Sequence, residues 1–199
     1  MNTVDPIKSI EEIERMKEHF KGQNPRDYLL FVLGINSALR ISDLLSLQVK
    51  DVRKEDDEYK ERIYIREGKT NKEKKYKISD GAKEALDYYF ENIDSARYHG
   101  RSPIEQDDYL FASQRGPHSP MNRTWAWRQI SEAAEECNIS GNIGCHSLRK
   151  SFGYMARTEY GASIELVQAK LNHSNPAVTR RYIGLEQEEI EELEEKVSL

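Results

Sequence analysis

Apolar and polar positions alternate along this chain with two different periods. Ser9-Ile10-Glu11-Glu12 reads as a capping box and predicts a helix start. Asn24-Pro25 places a cap before a proline at the first helical position, and a helix follows through the apolar stretch Tyr28–Leu39. Leu44, Leu45 and Leu47 predict another short helix just after Arg40. From Arg62 to Ile78 the period drops to two: Ile63 and Ile65 alternate with Arg62, Tyr64 and Arg66, and Lys74–Ile78 alternates similarly. Between these runs lies the polar turn Gly68-Lys69-Thr70-Asn71-Lys72, so the region is predicted to form a β-hairpin or small antiparallel sheet. Helical spacing returns at Ala82, Leu86, Tyr89, Phe90 and Ile93. Residues 95–123 are rich in Ser, Gly, Pro and charge and predict a loop, with a short extended piece at Tyr109-Leu110-Phe111.

The second half is helical again. Trp127, Ile130, Ala134 and Cys137 mark one helix, and His146–Tyr160 a second, with Leu148, Phe152, Met155 and Ala156 on one side. Ser163 caps a helix carrying Ile164, Val167 and Leu171, and Asn175-Pro176 starts the next. Ile190, Leu193 and Val197 recur at i, i+3 and i+7, an amphipathic tail helix. The expected fold class is mainly α with a small antiparallel β-sheet (α+β). The expected organisation is a single domain over residues 1–185, followed by an acidic amphipathic tail helix over 186–199.

Composition removes several function classes. No apolar run approaches the roughly 20 residues that span a bilayer, and the N-terminus MNTVDPIKSIEE lacks the basic and apolar regions of a signal peptide. A cytoplasmic protein with no membrane partner is expected. Two cysteines, Cys137 and Cys145, offer neither a disulfide framework nor a zinc site, so no metal is expected. The net charge of −5 by itself argues against a nucleic-acid partner. Its distribution softens this, because residues 186–199 hold seven glutamates against one lysine and leave the rest close to neutral. Basic residues cluster at Arg66–Lys77, Arg149-Lys150 and Arg180-Arg181. Local basic patches on a near-neutral body can meet DNA phosphates, and Lys69, Thr70, Lys72, Lys150, Arg180 and Arg181 are the candidate contacts.

The candidate chemistry lies in four short segments. His146 and Arg149, three apart, share a helix face; alone, the pair also reads as a capping histidine and a surface arginine. His173 and Tyr182 flank the helix start at Asn175-Pro176, which lets them converge; alone, they also read as a loop histidine and a structural tyrosine among eleven tyrosines. Arg40 lies between Leu39 and Ile41 with Asp43 three positions on, which suits a buried ion pair or a phosphate fork held by that carboxylate. Lys69 follows Gly68 in the hairpin turn, where lysines are commonly just solvated.

Taken together and in this order, the four segments resemble the tyrosine recombinase (phage integrase) family over about residues 8 to 185. ALRISDLLSLQVKDV is similar to the segment holding the family's first catalytic arginine, which falls on Arg40, with Asp43 as a supporting acidic neighbour. GKTNKEKKYKIS resembles its β-hairpin, whose lysine falls on Lys69. CHSLRKSFGYMA matches its His-x-x-Arg helix at His146 and Arg149, and LNHSNPAVTRRYIG matches its last segment, giving His173 and the nucleophile Tyr182. Many members carry an N-terminal helical domain that clamps the far side of the DNA. Here the first predicted helix begins close to residue 9, so no such domain is expected within this sequence, and a helper protein is a possible substitute.

The resemblance implies the tyrosine recombinase catalytic-domain fold and a site-specific recombinase. Tyr182 would attack a DNA phosphodiester, leaving a 3′-phosphotyrosyl bond and a free 5′-hydroxyl. The residue chemistry agrees. A covalent intermediate conserves bond energy, so no cofactor is expected. Arg40 and Arg149 can fork the non-bridging oxygens, and Lys69 can protonate the leaving 5′-oxygen. His146 can take the phenol proton, its ordinary pKa being near 6.5 against about 10 for tyrosine, and His173 can donate to a phosphate oxygen. Implied partners are double-stranded DNA and further copies of the chain, as a tetramer on paired sites joined through the tail. The implied location is the prokaryotic cytoplasm, on nucleoid DNA. Two alternatives stay open: a type IB-like topoisomerase using a similar residue set, and a non-catalytic DNA-binding regulator on the same fold.

Overall fold

The computed structural model describes residues 4–66, 73–92 and 105–197, without the side chains of 186–189. Local caps start several of its helices. Ser9 accepts the Glu12 amide at 3.4 Å and opens α1 (Ile10–Gln23), which buries Ile13, Met16 and Phe20. Asn24 accepts the Arg26 amide at 3.0 Å and opens α2 (Pro25–Ser37), with Pro25 at the first position as its spacing predicts. Almost all of α2 is buried, and it packs against α1 and against the later helices α5 (Asp80–Asn92) and α7 (Cys145–Thr158). It stops earlier than the apolar pattern suggests, at Ala38, which is left-handed at φ 57°. The Ser37 hydroxyl donates to the Leu33 carbonyl at 2.6 Å and accepts the Leu39 amide at 3.2 Å, a local alternative to the next helical turn.

Two short helices follow, α3 (Ile41–Leu45), predicted, and α4 (Val49–Val52), which periodicity does not mark. The period-two region forms β1 (Arg62–Arg66) and β2 (Glu73–Lys77), paired antiparallel with buried Ile63 opposite buried Tyr76. The predicted turn with Lys69, Thr70 and Lys72 lies outside the described residues. The predicted loop contains a second small sheet, β3 (Ala112–Ser113) with β4 (Gly116–Pro120). β3 has only two residues, and Pro117 and Pro120 in β4 hide the pair from any period-two signal.

The remaining elements are α6 (Arg123–Glu136), α7, α8 (Ile164–Leu171), α9 (Pro176–Ile183) and α10 (Leu185–Lys196). One core cluster joins α2 to the hairpin and α5; a second joins α1 and α2 to α6 and α7. A third gathers Ala38, Val167, Leu171, Ile183 and Leu185 where α8 and α9 meet α7. Leu185 thus belongs to the core, whereas Ile190, Leu193 and Val197 further along α10 are exposed. The mainly α architecture with small antiparallel pairing is as predicted. Among the described residues no helix is long and apolar enough to cross a membrane.

Candidate active site

Arg149 is the pivot of the site. It stands one turn into α7, on the same helix face as Gly153, and is only 3% exposed. Its guanidinium donates to the Ala38 carbonyl and to the Leu171 carbonyl. These belong to the C-terminal ends of α2 and α8, where backbone acceptors have no helical partner and a cation is favoured. One side chain therefore ties together three segments distant in sequence. His146, a turn earlier on α7, is exposed and borders an open cleft of about 510 Å³ that Arg123 and Trp127 of α6 also line.

Chain reversal between α8 and α9 brings His173 to Tyr182. Asn172 is left-handed at φ 55° and ends α8, and the His173 amide donates to the Gln168 carbonyl at 3.1 Å. Asn175 then caps α9 by accepting the Val178 amide at 3.0 Å. Two turns along α9, the Tyr182 ring meets the His173 ring edge-on, with centroids 4.8 Å apart at 74°. The His173 Nδ1 lies 3.1 Å from the hydroxyl of Thr179, which is fully buried. The Tyr182 phenol is within hydrogen-bond reach of Arg149.

Arg40 caps α3 with extended backbone, and its carbonyl accepts the Asp43 and Leu44 amides, each at 2.9 Å. Its charge acts on His146, His173 and Tyr182, so it faces the same space. Asp43 is buried at 6% exposure, beneath that turn. The sequence-predicted residues Arg40, Arg149, His173 and Tyr182 are thus brought together, with His146 at the rim. Arg180 and Arg181 are exposed on α9. Lys150 departs from its expected place on a DNA-facing surface: it is 8% exposed, with Nζ 5.3 Å from the centroid of the Tyr182 ring.

The electrostatics of the site are set by burial and by clustered cations. Burial, then Arg149, Arg40 and Lys74, push His173 down to about 4. Burial, then Arg123, Arg149, Lys150 and Arg40, lower His146. Burial raises the Tyr182 phenol, opposed by Arg149 and Arg40. A bound phosphodiester would relieve the mutual repulsion of these cations and favour a proton on His173.

Sequence reading missed four residues here. Lys74 acts on His173 from β2, and Arg123 acts on His146 from α6. Thr179 holds the His173 ring. Lys170 of α8 sits between Tyr76 and Phe152, 4.8 and 5.2 Å from their ring centroids, and is pushed down to about 8, chiefly by burial. Nothing in the sequence marks Lys170, which shares its helix with Glu165 and Gln168. Lys74 and Arg123 look like ordinary surface cations. Among the described residues no cluster of His, Cys, Asp and Glu could hold a metal ion.

Comparison with known proteins agrees with this arrangement. The model of the phage integrase family matches residues 9–189. The chain is 40% identical over 190 residues to the probable integrase/recombinase YoeC of Bacillus subtilis, covering 94% of this chain and 93% of that one. It is 28% identical over 181 residues to the tyrosine recombinase XerD of Halalkalibacterium halodurans, covering 87% of this chain but 55% of that protein, so it spans about half the length of that relative. The solved structure of the XerH site-specific recombinase on its difH substrate superposes with a TM-score of 0.68 at 23% identity, over 91% of this chain and 49% of that one, a likeness of fold. On the family match and the YoeC likeness, the chain belongs to the phage integrase family.

Proposed function

We propose that this protein is a site-specific DNA recombinase whose nucleophile is Tyr182, cutting one strand to a 3′-phosphotyrosyl bond and a free 5′-hydroxyl and then rejoining it. Cleavage and rejoining of DNA is the activity of its family. The observation that carries the residue assignment is the convergence of Arg149, His173 and Tyr182 from three separate elements onto one cationic space.

Arg40 and Arg149 fork the non-bridging oxygens and stabilise charge as the phosphorus becomes five-coordinate. The carbonyls of Ala38 and Leu171 hold the Arg149 plane, so little reorganisation is needed during reaction. The attacking phenol gives its proton to His146, which burial and then its cationic neighbours keep neutral and receptive. Thr179 orients His173; when its hydroxyl donates to Nδ1, Nε2 carries the ring proton and can donate to a phosphate oxygen. Lys69 on the hairpin protonates the departing 5′-oxygen. Lys69, Thr70, Lys72, Arg180 and Arg181 contact DNA phosphates, and no cofactor takes part.

Residues 1–185 form the catalytic unit, and the acidic tail over 186–199 joins neighbouring copies in a tetramer on paired DNA sites in the prokaryotic cytoplasm. The exposed stripe of Ile190, Leu193 and Val197 supports this role, and glutamates around it favour a protein contact over DNA. A helper protein that bends or clamps DNA completes the assembly. The test is covalent trapping. Wild type and Tyr182→Phe are incubated with nicked DNA and separated on a denaturing gel. An adduct from wild type alone is expected, and a full-strength adduct from the Phe variant would refute the assignment.

A further inference from the structure

Lys150 follows Arg149 on α7 yet meets Tyr182 differently. Arg149 reaches the phenol oxygen, whereas Lys150 lies over the ring, with Nζ 5.3 Å from its centroid. A lysine usually snorkels to water, and this one is 8% exposed. The segment beside it is built. The Asp5 amide donates to the Asn142 carbonyl at 2.8 Å, and the Asn142 amide donates to the Asp5 carboxylate at 2.9 Å. The Ile7 amide donates to the Ser151 hydroxyl at 2.6 Å, and Ile7 is wholly buried. Pro6 lies 3.6 Å from where a Cβ of Gly184 would stand, at the end of the nucleophile helix. Residues 5–7 therefore strap α7 at Ser151 to α9 at Gly184, with the Asp5 charge acting on Lys150.

We propose that Lys150 is a positioning residue for the nucleophile, seating the Tyr182 ring and favouring its phenolate form as the bond to phosphorus develops, with the Asp5 strap holding Lys150 in place. The inference rests on Tyr182 being the nucleophile. As the phenol O–H breaks, its proton goes to His146 while the O–P bond forms; the bond to the 5′-oxygen breaks, and that oxygen takes a proton from Lys69. Lys150 exchanges no proton. A phenolate spreads negative charge into its ring, so an ammonium over the ring face attracts it more than it attracts the neutral phenol. Stabilisation that grows toward the transition state accelerates the step. The charged groups around Lys150 are Asp5 from the strap, Tyr182 from α9, and His146 and Arg149 from its own helix.

The test is single-turnover adduct formation on nicked DNA across about pH 6 to 9, bracketing the ordinary histidine pKa and approaching that of tyrosine. Lys150→Met keeps the stem and removes the charge. It is expected to slow adduct formation by about tenfold or more at neutral pH and to move the alkaline rise in rate to higher pH. Lys150→Arg is expected to restore most of the rate, and Asp5→Asn to give a smaller loss, greatest toward alkaline pH because burial lowers the Lys150 pKa and Asp5 opposes that. Affinity for uncut DNA and its salt dependence should stay unchanged in Lys150→Met, whereas loss of a phosphate contact would flatten the salt slope. A wild-type rate and pH profile in Lys150→Met overturns the proposal. So does an equal loss at every pH with no rescue by arginine, the mark of packing alone. If Lys150→Met does not fold, an adduct profile in Asp5→Asn identical to wild type overturns the proposed strap. Absence of adduct from wild type itself would instead overturn the assignment of Tyr182, and this inference with it.

Discussion

Gly153 and Ile183 approach so closely that a methyl group on Gly153 would stand 2.6 Å from Ile183 Cγ2. At this point the helix carrying Arg149 touches the helix carrying Tyr182, one residue beyond the nucleophile. Replacing Gly153 with alanine should add about 1 kcal/mol of helix propensity and cost about 1–3 kcal/mol through overpacking. A small net loss of stability is expected, with a larger effect on chemistry, because a shift of about 1 Å in a reacting group can cost about 10² in rate. Urea midpoint and adduct rate measured on Gly153→Ala separate the two. An unchanged adduct rate would show that α9 slides without consequence.

Arg40→Ala and Arg149→Ala are each expected to slow cleavage by about 10² or more, as loss of an oxyanion donor does elsewhere. Their stabilities should differ. Arg149 satisfies the carbonyls of Ala38 and Leu171 deep in the fold, so its removal is expected to cost about 2–5 kcal/mol from unsatisfied acceptors. Arg40, partly buried at the start of α3, should cost less. Denaturation curves of the two variants decide this. Adding chelator should leave the wild-type rate unchanged; cleavage lost to chelator and restored by magnesium would indicate a nuclease.

His173 carries a pH dependence of stability. Its folded pKa, about 4, lies below the ordinary value of 6.5. The unfolded chain therefore binds a proton first as pH falls, and stability is full above about pH 6.5 and drains away toward pH 4. Urea midpoints measured through this window should fall on acidification. His173→Gln, which cannot titrate, should flatten that slope. An equally steep slope in the variant would place the titration elsewhere, on His146 or a carboxylate.

Lys69 should matter less when the leaving group needs no proton. Comparing Lys69→Ala on DNA with an ordinary oxygen and with a bridging sulfur at the 5′ position tests its role as the acid. A large defect on oxygen and a small one on sulfur is expected. Equal defects would make Lys69 a residue that holds the phosphate.

Removing residues 186–199 should reduce strand exchange more than single-strand cleavage. Leu185, which stays, is buried in the cluster under α9, so the active site keeps its support. Ile190, Leu193 and Val197, which go, are exposed. Adduct yield, recombinant yield and assembly size on DNA are the measurements. If product and assembly survive truncation, the tail is a local cap.

Local interactions made the helices readable without coordinates. Ser9, Asn24, Ser163 and Asn175 each cap the helix that begins beside them, and Arg62–Ile78 pairs as its alternation suggests. These signals act over a few residues, so they are present in the order of the chain. The candidate site residues were singled out for another reason: their four segments, taken in order, resemble those of a family whose chemistry uses arginines, a proton acceptor and a tyrosine nucleophile. What the order of residues leaves open is decided across distance. Arg149 meets Ala38, 111 positions away, through a buried hydrogen bond that only packing of α7 on α2 creates. Arg149 and Lys150 look alike as neighbouring cations, yet the helix turns one toward two carbonyls and a phenol oxygen and the other over the face of the same phenol. Lys170 reads as a surface lysine until β2 and α7 close Tyr76 and Phe152 around it. Burial changes the meaning of a charge, and burial is a property of the whole fold.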